Sequence, residues 1–208
     1  LDTNGVFIFE VPYWLDTIKS MRYDQIYHEH VTYFTLQSAY NLLKKNDFNI
    51  ELVSVENYHG KSLRIIAKKK YVGLNIKFQK FINSEKAIGL FDLKQYELFS
   101  KKINESKNKL IKKILNLKSN GKKIIFIGAA AKSNTFINFH KLDFNNVDYV
   151  TDTSKSKINK LTPMSRITIK HDDVLKKEKN AYVMILIWNM KKIIINKLKL
   201  INRDLKFL

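Results

Sequence analysis

The chain reads as an α/β protein in two units, the second built on a Rossmann-like parallel sheet. Three observations predict this. Apolar runs of strand length at residues 123–127, 147–150 and 181–187 are separated by stretches of helical period. The last of these runs is apolar on consecutive residues, as in strands covered on both faces. Ahead of them, residues 50–67 hold two shorter apolar runs around a glycine turn, the pattern of a hairpin.

The elements follow in order. Residues 6–10 are a buried-strand candidate, closed by Pro12 and the aromatic pair Tyr13-Trp14. Thr35 has the character of an N-cap, because Leu36, Ala39, Tyr40 and Leu43 follow at helical spacing and Asn46-Asp47 ends the run. Residues 50–55 form a strand, Tyr58-His59-Gly60 a turn, and residues 62–67 a second strand. Residues 71–84 read as an irregular linker. From 85 to 118 the pattern is helical: Tyr96, Phe99, Ile103, Leu110, Ile114 and Leu117 share a stripe opposite lysines, and Asn120-Gly121 stops the helix. Then come the strand at 123–127, a small-residue turn, a helix through Phe136 and Phe139, the strand at 147–150, an extended piece at 166–169, the strand at 181–187, and a closing Lys/Ile-rich helix. The domains expected are therefore 1–70, a linker at 71–84, and 85–208.

Composition narrows the function classes. At 208 residues and 45% apolar content, the chain can bury a sizeable core. Zero cysteines exclude disulfides and thiolate zinc sites and suit a reducing, cytoplasmic setting. No apolar run approaches the ~20 residues that cross a bilayer. The opening Leu1-Asp2-Thr3-Asn4-Gly5 runs straight into a strand, as expected of an N-terminal truncation. The net charge of +19 is compatible with nucleic acid or an anionic membrane. The lysines, however, are scattered among Asn and Ile along the whole chain, which favours a compositional origin. The expected partner is a small anionic molecule, with neither nucleic acid nor membrane.

The densest chemistry is Tyr27-His28-Glu29-His30, in a chain of five histidines. An imidazole can take a proton from carbon beside a carbonyl, a carboxylate can orient it, and a phenol can donate to an enolate oxygen. A polar surface turn accounts for the same four letters. A metal reading through His28 and His30 lacks an evident third ligand, so no metal is assigned. In Gly128-Ala129-Ala130-Ala131-Lys132-Ser133-Asn134, small residues at a strand-to-helix turn would admit a phosphate to backbone N–H groups, with Lys132 adding charge. The run is neither GxGxxG nor a P-loop, and tight packing explains it equally well. His59-Gly60-Lys61-Ser62-Leu63-Arg64 would hold a phosphate or sugar hydroxyl, or would simply be a solvated hairpin end. Asp152 after its strand, and Trp188-Asn189 after theirs, are weaker candidates for ligand contact.

Taken together, these stretches carry a resemblance. Phe7-Ile8-Phe9-Glu10-Val11-Pro12-Tyr13, Tyr27-His28-Glu29-His30 with Tyr33-Phe34, His59-Gly60 with Ser62-Leu63-Arg64, Gly128-Ala129-Ala130-Ala131-Lys132, Asp148-Tyr149-Val150 with Asp152, and Ile187-Trp188-Asn189 stand in the order seen in the S-adenosylmethionine-dependent sugar C-methyltransferases. The chain resembles their C-terminal half. The resemblance implies a Cys-ligated zinc domain and most of a methyl-donor domain beyond this chain. Residues 6–69 would then be the final strands of a class I methyltransferase sheet, and residues 85–208 the C-terminal domain. It implies His30 as the base, with Tyr27 and Glu29 in the same site, and a nucleotide-linked keto-deoxysugar as acceptor. His28, His59, Ser62, Arg64, Lys132 and Asn134 become the substrate-binding candidates, and S-adenosylmethionine the donor, its loop absent here. A non-catalytic nucleotide-sugar-binding module is the alternative. The family's paired glycines become Gly60-Lys61 here, the glycine after its Gly-Ala-Ala-Ala-Lys turn becomes Ser133, and a Pro-Gly becomes Pro163-Met164.

Overall fold

The computed structural model describes residues 1–2, 4–57, 60–69 and 76–208. The chain divides into two compact units: residues 1–23 with 28–103, and residues 24–27 with 104–208.

The first unit is a three-stranded antiparallel sheet with helices. Strand β1 (Val6–Pro12) pairs with β3 (Ser62–Lys69), and β3 with β2 (Phe48–Glu56), giving the order β1-β3-β2. Along the central strand Leu63, Ile65 and Ala67 are buried, the period-2 signature of a strand with one face on the core. The β2–β3 register shifts between Ile50 and Leu52, a bulge that the alternation pattern did not reveal. Pro12 is tolerated because it ends an edge strand.

Helix α1 (Trp14–Lys19) follows at once, where the sequence promised only a strand end. Helix α2 (Leu36–Lys45) begins at the expected cap. The Ser38 N–H donates to Thr35 Oγ1 at 2.9 Å and the Thr35 N–H donates back to Ser38 Oγ at 3.0 Å, a reciprocal box. Helix α3 (Ile76–Ala87) occupies most of the stretch expected to be an irregular linker. The correction has a simple cause: Phe78 and Ile82, four apart, are both buried, so a sequence without obvious stripe still offers one apolar contact row. The single long helix expected from 85 is broken at Gly89, whose φ is +72°, and α4 runs Leu93–Ser119. The division between compact units falls inside α4, after Ile103, and not at residues 71–84.

The second unit is a five-stranded parallel sheet in the order β6-β5-β4-β7-β8, formed by β4 (Lys123–Ile127), β5 (Tyr149–Thr151), β6 (Ile169–Lys170), β7 (Ala181–Ile185) and β8 (Lys206–Phe207). Alternate residues of β4 feed two cores. Ile124 and Phe126 pack with Ile114 of α4 and Ile137 of α5 (Ala131–Phe139), whereas Ile125 and Ile127 pack with Val183, Leu175 and Leu198 of α6 (Lys191–Ile201). Helices thus cover both faces, which is why the strands tolerate unbroken apolar runs. Strand order reverses between β4 and β7, the topological switch point where parallel sheets offer a crevice at their carboxyl ends. Among the described residues no helix is long and apolar enough to cross a membrane.

Candidate functional site

The Tyr27–His30 run lies on an irregular turn, outside helix and strand. A proton-transfer role needs that irregularity, since consecutive residues on a regular helix point about 100° apart. Tyr27 and His30 are half-buried, while His28 and Glu29 are exposed. Tyr27 belongs to the second unit and His28, Glu29 and His30 to the first.

His30 is fixed by an aromatic relay in its own unit. Its ring meets Tyr33 edge-on at 6.1 Å, and Tyr33 packs on Trp14 at 4.9 Å. The Trp14 indole N–H donates to Tyr96 Oη at 3.1 Å, and that hydroxyl donates to the Leu90 carbonyl at 2.8 Å. The Trp14 backbone N–H also donates to the Phe34 carbonyl at 3.0 Å. Trp14 and Tyr96 were legible only as a strand end and a helix stripe, because their partners are 82 residues apart.

The hairpin candidates are engaged with one another. Arg64 pairs with Glu10 at 2.8 Å and Glu56 at 3.2 Å, and the Ser62 hydroxyl hydrogen-bonds Glu10. The Ser62 and Arg64 contacts hold the Glu10 carboxyl below the usual carboxylate range. The residue types that suggested a phosphate site thus bridge the three strands of the sheet. His59 lies outside the described residues.

The Gly128 turn also looks inward. The Gly128 N–H donates to the Thr151 carbonyl at 2.7 Å, the Ala129 N–H to Asp152 Oδ2 at 2.9 Å, and the Ala130 N–H to Ser133 Oγ at 3.3 Å. A Cβ on Gly128 would stand 2.2 Å from Ile187 Cγ1. The glycine therefore serves close packing against the chain after β7. The same amides are engaged within the protein and are not offered to a phosphate. Asp152, a weaker candidate for ligand contact, caps the turn: it accepts from Ser154 N–H at 2.8 Å and pairs with Lys157 at 3.3 Å. Burial works to raise its pKa, but the Ser154 and Ala129 amides and Lys157 outweigh it and hold the carboxyl below its ordinary value.

Lys132 reaches Asn189 Oδ1 and sits 4.7 Å from the centre of the Trp188 ring, at the switch point. The Trp188 indole N–H donates to Asp24 Oδ2 at 2.5 Å. Asn134 is half-buried, and its Oδ1 and the Thr151 hydroxyl are buried without a hydrogen-bond partner among the described residues. Among the described residues no three His, Asp or Glu side chains converge as metal ligands would.

Two comparisons bear on this arrangement. The chain is 24% identical over 191 residues to the C-methyltransferase NovU of Streptomyces niveus, an alignment covering 91% of this chain and 46% of that protein. The chain thus spans about half the length of the curated relative it matches. The family model described as the C-methyltransferase C-terminal domain matches residues 57–208, which include the hairpin turn, the Gly128 turn and the Trp188-Asn189 corner. The chain belongs to the C-methyltransferase C-terminal domain family.

Proposed function

We propose that this chain is the acceptor-handling half of an S-adenosylmethionine-dependent C-methyltransferase that acts on a nucleotide-linked keto-deoxysugar. The observation that carries the reading is His30: a half-buried imidazole on an irregular turn, braced through Tyr33 and Trp14, in the sequence run Tyr27-His28-Glu29-His30. His30 removes the proton from the carbon next to the sugar ketone, and the electron pair moves into the enolate, whose oxygen accepts a hydrogen bond from Tyr27. Glu29 supports the imidazolium that results. A bound S-adenosylmethionine would supply the methyl group that the nucleophilic carbon takes up, its sulfonium leaving as a neutral thioether.

The free side of β1 supports the half-protein reading. Among the described residues β1 pairs only with β3, and it exposes Val6, Phe7 and Ile8 at 43%, 43% and 58%. Sheet edges this apolar call for a covering partner. In the complete enzyme, His30→Ala should lower turnover by roughly 10²–10⁴-fold while equilibrium dialysis with labelled donor shows near-unchanged binding. Near-normal turnover in that variant refutes the base assignment. Nucleotide-sugar binding by a complete protein that binds no donor would instead favour the non-catalytic module.

A further inference from the structure

The indole of Trp188 is bonded to the segment that carries Tyr27. The short 3-10 turn Tyr23–Gln25 buries Asp24 and Gln25, with Asp24 accepting the Trp188 N–H at 2.5 Å. Only Gln25 and Ile26 separate this anchor from Tyr27, so Tyr27 leaves a fixed point by at most ~10 Å of backbone. Asp24, Tyr27 and Trp188 all lie in the second unit, although residues 1–23 and 28–103 build the first. The Trp188 indole ties this segment down within its own unit. Trp188 is itself held from two sides. The Lys132 ammonium lies over its ring, and Ile187, the residue before it, is wedged against Gly128.

We infer that Trp188 is a positioning residue for methyl transfer: through Asp24 it sets where the Tyr27 hydroxyl stands, and Lys132 acts by fixing the Trp188 ring. This inference rests on the proposed enolate-stabilising role of Tyr27. A donor atom displaced by about 1 Å loses on the order of 10²-fold in rate, so a tether three residues away is within reach of kcat.

The test uses the complete enzyme with Tyr27→Phe, Trp188→Phe and the double variant. Trp188→Phe keeps an aromatic ring under Lys132 and removes the N–H. It should lower kcat by about ten-fold or more with KM for the nucleotide-sugar changed less than about two-fold. In the Tyr27→Phe background the same change should do almost nothing, because the group it positions is gone. Asp24→Asn, which keeps an acceptor for the indole, should retain most activity, and Asp24→Ala should behave as Trp188→Phe does. Indole N–H resonances of the chain report the tether directly, as the Trp188 signal should lose its exchange protection in Asp24→Ala. Full activity in Trp188→Phe beside an impaired Tyr27→Phe overturns the tether and leaves the reaction standing. Equal losses from Trp188→Phe in both backgrounds overturn it too. Wild-type turnover in Tyr27→Phe removes the role of Tyr27 and the inference with it. If Trp188→Phe does not fold by circular dichroism, the Asp24→Asn and Asp24→Ala pair decides alone.

Discussion

At Gly128 the backbone adopts φ +96°, and the space where a side chain would begin is filled by Ile187. Gly128→Ala meets both obstacles and should destabilise the second unit by roughly 2–4 kcal/mol, read as a lower urea midpoint. Adding Ile187→Ala should restore only part of the loss, since it relieves the collision and leaves the backbone strain. Full recovery in the double variant would show that strain at φ +96° contributes nothing. This single residue also separates two readings of a small-residue turn. Its own amide ends on Thr151 and those of Ala129 and Ala130 on Asp152 and Ser133, so smallness here follows from strand-to-helix packing and not from phosphate approach.

Helix α2 depends on a residue far along the chain. Glu85 of α3 is fully buried and accepts the Leu36 N–H at 2.5 Å, the Gln37 N–H at 3.1 Å and the Tyr13 hydroxyl at 3.0 Å. Its carboxylate meets the positive end of the α2 dipole and satisfies first-turn amides that have no helical partner. Burial and the adjacent carboxylate push the Tyr13 phenol well above its ordinary pKa, keeping it a hydrogen-bond donor throughout the physiological range. Glu85→Ala strands two buried donors and a half-buried one and should cost about 3 kcal/mol or more. Glu85→Gln keeps an acceptor and should lose less. Chemical denaturation of both variants checks the order, and a harmless Glu85→Ala would remove the cap assignment. Thr35, in contrast, is a local cap, and local chemistry sufficed to place it.

For the molecule as a whole, acid sensitivity should come first through His140. Its ring is buried between Phe136 and Phe139, and its Nδ1–H donates to the Phe136 carbonyl at 2.8 Å. Burial lowers its pKa beneath the ordinary 6.5, with Lys107 acting in the same sense and the backbone bond opposing both. A base depressed in the folded state binds fewer protons folded than unfolded, so its stabilising share is complete above about pH 6.5 and disappears as pH falls through the lowered value. The urea midpoint should drop from pH 7 to pH 5, and His140→Gln should flatten that slope. An unchanged slope would assign the acid loss to other groups. The +19 charge adds little structure of its own, because pairs such as Lys123–Glu178 and Lys197–Asp172 keep their lysines largely exposed and screened.

What sequence alone determined is periodic or local. It includes the consecutive apolar strands of the parallel sheet, the Thr35 cap, the hairpin, and the Tyr27-His28-Glu29-His30 cluster with the family it resembles. Each rests on neighbours within a few positions, where spacing and propensity act directly. Tertiary structure decided the rest. Helix α3 is held by a contact row too short to stand out in the sequence. Arg64 bonds across the sheet, Glu85 caps a helix 49 residues upstream, and Trp188 finds Asp24 at a separation of 164. Hydrogen bonds of that kind depend on which strands and turns the folded chain brings side by side, and no periodicity in a linear sequence encodes that adjacency.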